Sequence, residues 1–389
     1  MKRLLTFLIC CSLACFLLTA CSASQAQERQ FLDLSVEFLG EIQLPKQDIE
    51  GTPVGGLSGI TFDRQTQNYY ALSDDRARLG PARFYTLQFA FASDQSPTGV
   101  TIEQVTPLTT ATGEPFAPGS LDPEAIALSP RRTLFISSEG DVDAQIAPWI
   151  KEFDLTTGQA LSTVPLPARF LPQTPIRNAD PPHGIQNNLA FESLTINWTG
   201  LSTDDPFRLF TTTENTLVQD RLPLDAETTA AETPKENQER LRLLHYVMGP
   251  VGPPVLISEN AYLLEPPPDL AIAHGLSELL ALDTEGYLVS LERSFGLNGI
   301  TARLFQVVAG SATDTSRIAV LGGPLKTVTP LQKRLLLDLA DLNLPLDNLE
   351  GMTLGSRLAD GSRLLVLVSD DNFREQQVTQ FLFFRLMGA

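Results

Sequence analysis

The chain has 389 residues, with 28 lysines and arginines against 46 aspartates and glutamates, for a formal net charge of −18. That balance excludes a basic footprint for nucleic acid or for anionic lipid surfaces, and it suits cations, calcium among them. All four cysteines (Cys10, Cys11, Cys15 and Cys21) lie in the first 21 residues, so the remainder has no disulfide framework, no thiolate chemistry and no His/Cys zinc spacing.

The first element in chain order reads as an export signal. Lys2 and Arg3 precede an almost wholly apolar run from Leu4 to Leu18, too short to span a bilayer comfortably. Leu18-Thr19-Ala20-Cys21 resembles a bacterial lipobox: small residues enter a protease cleft beside a thiol that has been alkylated by lipid. Residues 1–20 are therefore expected to be a signal peptide, Cys21 the lipidated residue, 21–30 a polar tether, and 31–389 one folded domain. The expected location is the periplasm or cell surface, with membrane contact through the anchor alone. Removing Lys2 and Arg3 takes the net charge from −18 to −20.

Beyond residue 30, short apolar runs are bounded by Gly, Pro, Asp and Asn, which predicts strands and turns rather than helices. A layout recurs five times: an acidic or small polar residue leads into an apolar strand, and a second apolar strand ends on an acid. The copies are residues 56–62 with 69–75, 122–128 with 134–139, 191–196 with 209–214, 276–282 with 287–292, and 349–354 with 364–371. They place Ser58, Glu124, Glu192, Glu278 and Glu350 in one set, spaced 66, 68, 86 and 72 residues apart. Asp74, Glu139, Glu214, Glu292 and Asp370 form the second set.

Such a repeat predicts an all-β propeller with inserted loops. The spacings exceed one blade of about 40 to 50 residues, so six blades are expected, with five to seven compatible and residues 297–344 holding room for another. Pairing of segments 31–44 and 378–386 would close the ring and remove free edges. In a ring the two acidic sets converge on one end of the central channel. Like charges there need cations or arginines, and Arg76, Arg78, Arg83, Arg293 and Arg374 follow closely in sequence. The plainer alternative is that each acid merely binds loop N–H groups.

Several of these segments together resemble the bacterial "esterase-like activity of phytase" family, also called phytase-like domain proteins. The resemblance spans nearly all of residues 50–387. It rests on Asp122-Pro123-Glu124-Ala125-Ile126 with Ser138-Glu139-Gly140-Asp141, on Asn188-Leu189-Ala190-Phe191-Glu192-Ser193-Leu194 with Thr213-Glu214-Asn215, and on Leu288-Val289-Ser290-Leu291-Glu292-Arg293. Leu349-Glu350-Gly351 and Val368-Ser369-Asp370-Asp371-Asn372-Phe373 complete it. The chain departs from the pattern at Ser58, and at Leu189-Ala190, where the family often carries an arginine.

The resemblance implies hydrolysis of a phosphate or carboxylate ester. Oxygen ligands from Glu124, Glu139, Glu214, Glu278 and Asp370 would hold calcium. Glu192, Glu350 and Arg293 would be the catalytic groups, and Arg76 and Arg83 would bind substrate. No nucleotide or flavin is implied, and a monomer is expected, acting on a small-molecule ester or binding an envelope ligand. Two alternatives stay open. Gly56-Leu57-Ser58-Gly59 approaches a nucleophile elbow, which would need His183, His245 or His274 to meet Ser58. A propeller of this kind can also bind a ligand or protein without turnover.

Overall fold

The computed structural model describes residues 30–172, 182–221, 238–322, 325 and 327–389. The signal segment and Cys21 lie outside the described residues, as does all of the tether but Gln30. The first strand, β1 (Ser35–Leu44), is followed by a two-stranded ribbon of β2 (Asp48–Ile49) and β3 (Thr52–Pro53). The first blade is β4 (Leu57–Phe62), β5 (Tyr69–Ser73), β6 (Arg83–Phe91) and β7 (Pro97–Pro107). The second is β8 (Pro123–Leu128), β9 (Thr133–Ser138), β10 (Trp149–Asp154) and β11 (Ala160–Val164). The third is β12 (Ser193–Asn197), β13 (Phe207–Thr212), β14 (Arg240–Met248) and β15 (Val255–Leu263). The fourth is β16 (Ala271–Ala281), β17 (Tyr287–Gly296), β18 (Gly299–Val308) and β19 (Gln332–Asp338). The fifth is β20 (Asn348–Arg357), β21 (Arg363–Asp370) and β22 (Thr379–Met387), with β1 as its outer strand.

Burial explains the order within a blade. Inner strands such as β5 and β21 are covered on both faces and read as continuous apolar runs, whereas the outer strands β7 and β11 leave most of their residues exposed or half-buried. Strands β4, β8, β12, β16 and β20 are neighbours in that order, and β20 meets β4 again, so the ring closes around a central channel. Each interface between blades carries its own apolar cluster. Leu367 and Leu304 meet in one of them, for example, and Phe135 and Phe207 in another.

The ring has five blades, not six. Residues 297–344 do not add a blade: they supply β18 and β19, the outer half of the fourth, joined by a long connection. The wide spacings come from such connections, within blades at 213–239 and 309–331 and between blades at 108–122 and 165–192. Closure follows the expected pairing of first and last strands. Strand β1 runs antiparallel to β22 from Ser35 opposite Met387 to Leu44 opposite Thr379. Among the described residues no helix is long and apolar enough to cross a membrane.

Candidate active site at the channel mouth

The inner strands all begin at one end of the channel, and at that end each blade repeats the same backbone irregularity. Asp74 N–H donates to the Gly56 carbonyl, Glu139 to Asp122, and Glu214 to Ala190. Arg293 faces Gly275, and Asp370 faces Asn348 in the equivalent ladders. One or two residues later a bulge pushes a side chain out of register, at Ser58, at Glu124, at Ser277 and at Glu350. In the third blade Glu192 takes that place, just before β12.

This register revises the fourth copy of the repeat. Ser277, not Glu278, is equivalent to Glu124, Glu192 and Glu350, and Arg293, not Glu292, is equivalent to Asp74, Glu139, Glu214 and Asp370. The serines confirm the equivalence. Ser58 Oγ lies 3.4 Å from the Pro123 carbonyl and Ser277 Oγ 3.2 Å from the Leu349 carbonyl, each reaching the same point on the next blade. Glu278 instead accepts the N–H groups of Leu194 (3.1 Å) and Leu279 (2.8 Å). Its pKa is raised well above the usual range by burial alone, with no neighbouring carboxylate contributing. Glu292 turns away to Tyr262 Oη (2.7 Å) and to Lys333.

The mouth is therefore ringed by Asp74, Asp122, Glu124, Glu139, Glu192, Glu214, Glu350 and Asp370, with Arg76 and Arg293 among them. Arg293 donates to Glu350 Oε1 at 2.7 Å, to Glu214 Oε1 at 3.0 Å, and to Asn348. Burial opposes its charge, but Glu350, Glu214 and Glu192 hold its pKa above the ordinary value. Arg76 pairs with Asp122 and donates to Asn188 Oδ1 at 3.1 Å. Arg83 does not reach the mouth. It is buried, and its three nitrogens donate to Tyr85 Oη (2.6 Å), Asp75 (2.7 Å) and the Pro53 carbonyl (2.9 Å).

The second acid of each Asp-Asp pair serves the loop, as the plainer reading anticipated. Asp75 accepts from the N–H groups of Arg78, Leu79 and Gly80, and Asp371 from Gly56 and Phe373. The first acid of each pair belongs to the mouth. Burial raises Asp370 to about 6, and it raises Asp74 well above the usual carboxylate range, reinforced by Asp370 and Glu350.

One part of the ring is tighter. Asp122, Glu124 and Glu139 are all buried, and one oxygen from each lies within 4.8 Å of the others. Glu139 is 1% exposed; one of its oxygens accepts the Ala190 N–H, and the other, Oε2, has no partner. Burial first, then neighbouring carboxylates, raises Glu124 and Glu139 well above the usual range; burial raises Asp122 to about 6, against Arg76. Glu192 is raised well above its range by burial and by Glu139 and Glu214; Glu350 reaches about 8 through burial and Asp370, against Arg293. Asp122 was missed as a site residue. The signal was available: the other copies carry Gly56, Ala190, Gly275 and Asn348 at that position, none of them acidic.

The sequence matches the phytase-like family, described as "esterase-like activity of phytase", over residues 52–373. The chain belongs to this family. No curated protein sequence matches it. Similar solved structures include an endo-arabinase from Bacteroides thetaiotaomicron (14% identity, 85% of this chain and 93% of that one, TM-score 0.40). The catalytic domain of a Coprinopsis cinerea α-L-arabinofuranosidase gives 10% identity, 92% and 98% coverage, and a TM-score of 0.41. The Malassezia sympodialis allergen Mala s 1 gives 10%, 88% and 96%, and 0.36. Likenesses this distant carry no argument about chemistry.

The serine-triad alternative finds no geometry in this phytase-like propeller. Among the described residues no histidine bonds Ser58, which is 2% exposed. His245 stacks on Phe210 with ring centroids 4.2 Å apart, and burial and Arg208 push it down to about 4. His274 bonds Ser294 (2.7 Å) and the Glu265 carbonyl (2.8 Å) in the fourth blade.

Proposed function

We propose that the channel mouth is the site of a cation-assisted hydrolase acting on phosphate or carboxylate esters. The observation that carries this reading is the unpartnered, buried Oε2 of Glu139 beside Asp122 and Glu124. A buried carboxylate oxygen without a donor is costly unless a cation or proton meets it. Three oxygen donors on rigid strand ends fit a hard divalent ion such as calcium, held by Asp122, Glu124 and Glu139. Bound there, such an ion would supply Lewis-acid polarisation of an ester oxygen and a more acidic water.

The chain's own groups do the rest. Arg76, a quarter exposed on its side chain, lies beside the triad and can hold an anionic oxygen of the substrate. Glu350, at about 8, keeps its proton at neutral pH and can give it to a leaving alkoxide. Arg293 fixes that carboxyl and Glu214 in place. Glu192, between the two groups, faces both the triad and Arg293 through the charges it feels. The rival reading, ligand binding without turnover, uses the same mouth.

Two substrates and one cation separate them: a generic phosphomonoester and a short-chain acyl ester, each with calcium and with chelator. Calcium-dependent turnover that falls at least about 100-fold in Glu139→Gln and Glu192→Gln, with Glu278→Gln unaffected, is the expected result. A calcium-induced thermal shift without turnover would establish the binding reading instead, and neither shift nor turnover would sink both. The proposal also places the domain at a membrane through lipidated Cys21, on the strength of the Leu18-Thr19-Ala20-Cys21 motif. A Cys21→Ser chain still recovered with membranes would remove that part.

A further inference from the structure

The opposite end of the channel holds a second site. There the inner strands finish and turn back, and a cavity of about 230 Å³ opens between them. All five blades contribute to its lining. Its wall is mixed, with Leu194, Met352 and Leu354 beside Thr61, Thr195 and Thr353. Its rim is charged: Arg64, Arg132 and Arg363 line it together with Asp63, Asp283 and Trp198.

The charge at this rim runs against the rest of the molecule. Asp283 alone meets three guanidiniums, Arg64 at 2.5 Å, Arg363 at 2.7 Å and Arg357 at 3.1 Å. Asp63 pairs with Arg132 at 2.9 Å, while its other oxygen caps the turn at the Gln65 N–H. Four arginines thus face two carboxylates in a chain whose net charge is −18. The excess is felt locally, since burial and then Arg64 lower the pKa of Arg363, with Asp283 opposing. Ring closure alone does not need this surplus, because Arg363 is already satisfied by Asp283 and by the Gly355 carbonyl at 2.8 Å.

Two further features point to a ligand. Arg64 and Arg132 keep 63% and 40% of their side chains exposed while lining the cavity. Trp198 is 39% exposed at the same rim. A concave wall with apolar side chains, a few convergent charged groups and an aromatic edge is a usual form of a small-molecule site, and this one is smaller than the roughly 300–1,000 Å³ of drug-sized pockets.

We propose that this distal cavity binds a small amphipathic organic anion, a carboxylate or phosphate monoester with an apolar body, its head on Arg64 and Arg132 and its body against Leu194, Met352 and Leu354. The site is separate from the acidic mouth and does not depend on the hydrolase reading.

Octanoate and phenyl phosphate are the probes, with octanol and phenol as their neutral counterparts, titrated calorimetrically and by tryptophan fluorescence. Chelator in the buffer keeps cation-mediated binding at the acidic mouth out of the signal. At least one anion should bind with a Kd below about 1 mM, and binding should weaken as salt rises from about 50 to 500 mM. The anion that binds identifies the head group, and binding of both means that charge alone is read. Arg64→Ser/Arg132→Ser should weaken it at least about tenfold while far-UV circular dichroism is retained. Trp198→Phe should remove the fluorescence change. Should the double variant not fold, the exposed single substitution Arg64→Gln and the salt dependence of the unaltered protein decide. No binding of either anion with a Kd below about 1 mM, equal binding of the neutral counterparts, salt-independent binding, or an unchanged Kd in the folded variant would each overturn the proposal.

Discussion

Glu350 sits where two costs meet, burial and the nearby charge of Asp370, and Arg293 offsets only part of them. Its folded-state pKa of about 8 lies above the ordinary value of 4.5, so between those limits the folded protein holds more protons than the unfolded chain. Stability must then fall as pH rises through that window. Asp122 and Asp370, each at about 6, add the same sign lower down. His245 has the opposite sign: depressed from 6.5 to about 4, it removes stability as pH falls below 6.5. The clean window is therefore the alkaline side, from pH 6.5 to 8. In chelator the melting temperature should drop across it by more than about 2 °C, and Glu350→Gln should flatten the drop. A flat or rising profile in the unaltered protein would show that these carboxyls are not desolvated as described. At this scale the sequence was legible in four copies of the repeat and misleading in the fourth. Leu276-Ser277-Glu278 and Glu292-Arg293 each offer a glutamate one residue from the equivalent position. Side chains alternate along a strand, so an error of one residue exchanges the two faces, and a bulge leaves no mark in composition.

The strand ends are held to this register by close backbone approach, and two glycines make that approach possible. A Cβ on Gly59 would lie 2.8 Å from the Glu124 carbonyl oxygen and 3.0 Å from the Ile126 nitrogen. On Gly351 it would lie 2.7 Å from Val368 Cγ1 and 3.1 Å from the Cα of Gly59. Strand β20 thus presses on β4, and β4 on β8, at the level of the acidic ring. Backbone atoms cannot rotate away as a side chain can. Gly59→Ala should cost about 1–3 kcal/mol as overpacking. Because its neighbour is the carbonyl of Glu124, it should also weaken any calcium-induced thermal shift. Gly310→Ala, with nothing within 4 Å, is the control and should change neither quantity. Equal effects from both substitutions would mean that the inner strands can separate without disturbing the mouth. Strand identity was readable from short apolar runs bounded by Gly, Pro, Asp and Asn, and the two inner strands of every blade were found. Most of the outer strands were not, β1 and β22 excepted, because half-exposed segments such as β11 and β19 carry little apolar signal, and unclaimed residues were counted as a sixth blade.

At the scale of the ring, five blades must meet without a free edge, and the chain solves this by giving its fifth blade an N-terminal strand. Strand β1 alternates exposed and half-buried residues, as an outer strand should, and Leu44 anchors its inner end. It pairs with β22 along its whole length and also lies against β7 of the first blade, where Pro97 packs on Gly40. It therefore joins the last blade to the first. No cysteine is present beyond residue 21, so this closure rests on ladder hydrogen bonds and burial alone. A chain that begins at residue 31 should melt like the full-length protein. One that begins at residue 45 leaves β22 as an unpaired edge beside an open ring, which favours association between chains. It should melt lower and elute as oligomers in size-exclusion chromatography. A peptide of residues 31–46, added in excess, should restore the monomer by supplying the missing strand. If the shorter chain stays monomeric with an unchanged melting temperature, the ring is held shut by the apolar contacts of the fifth and first blades rather than by the strand that closes it.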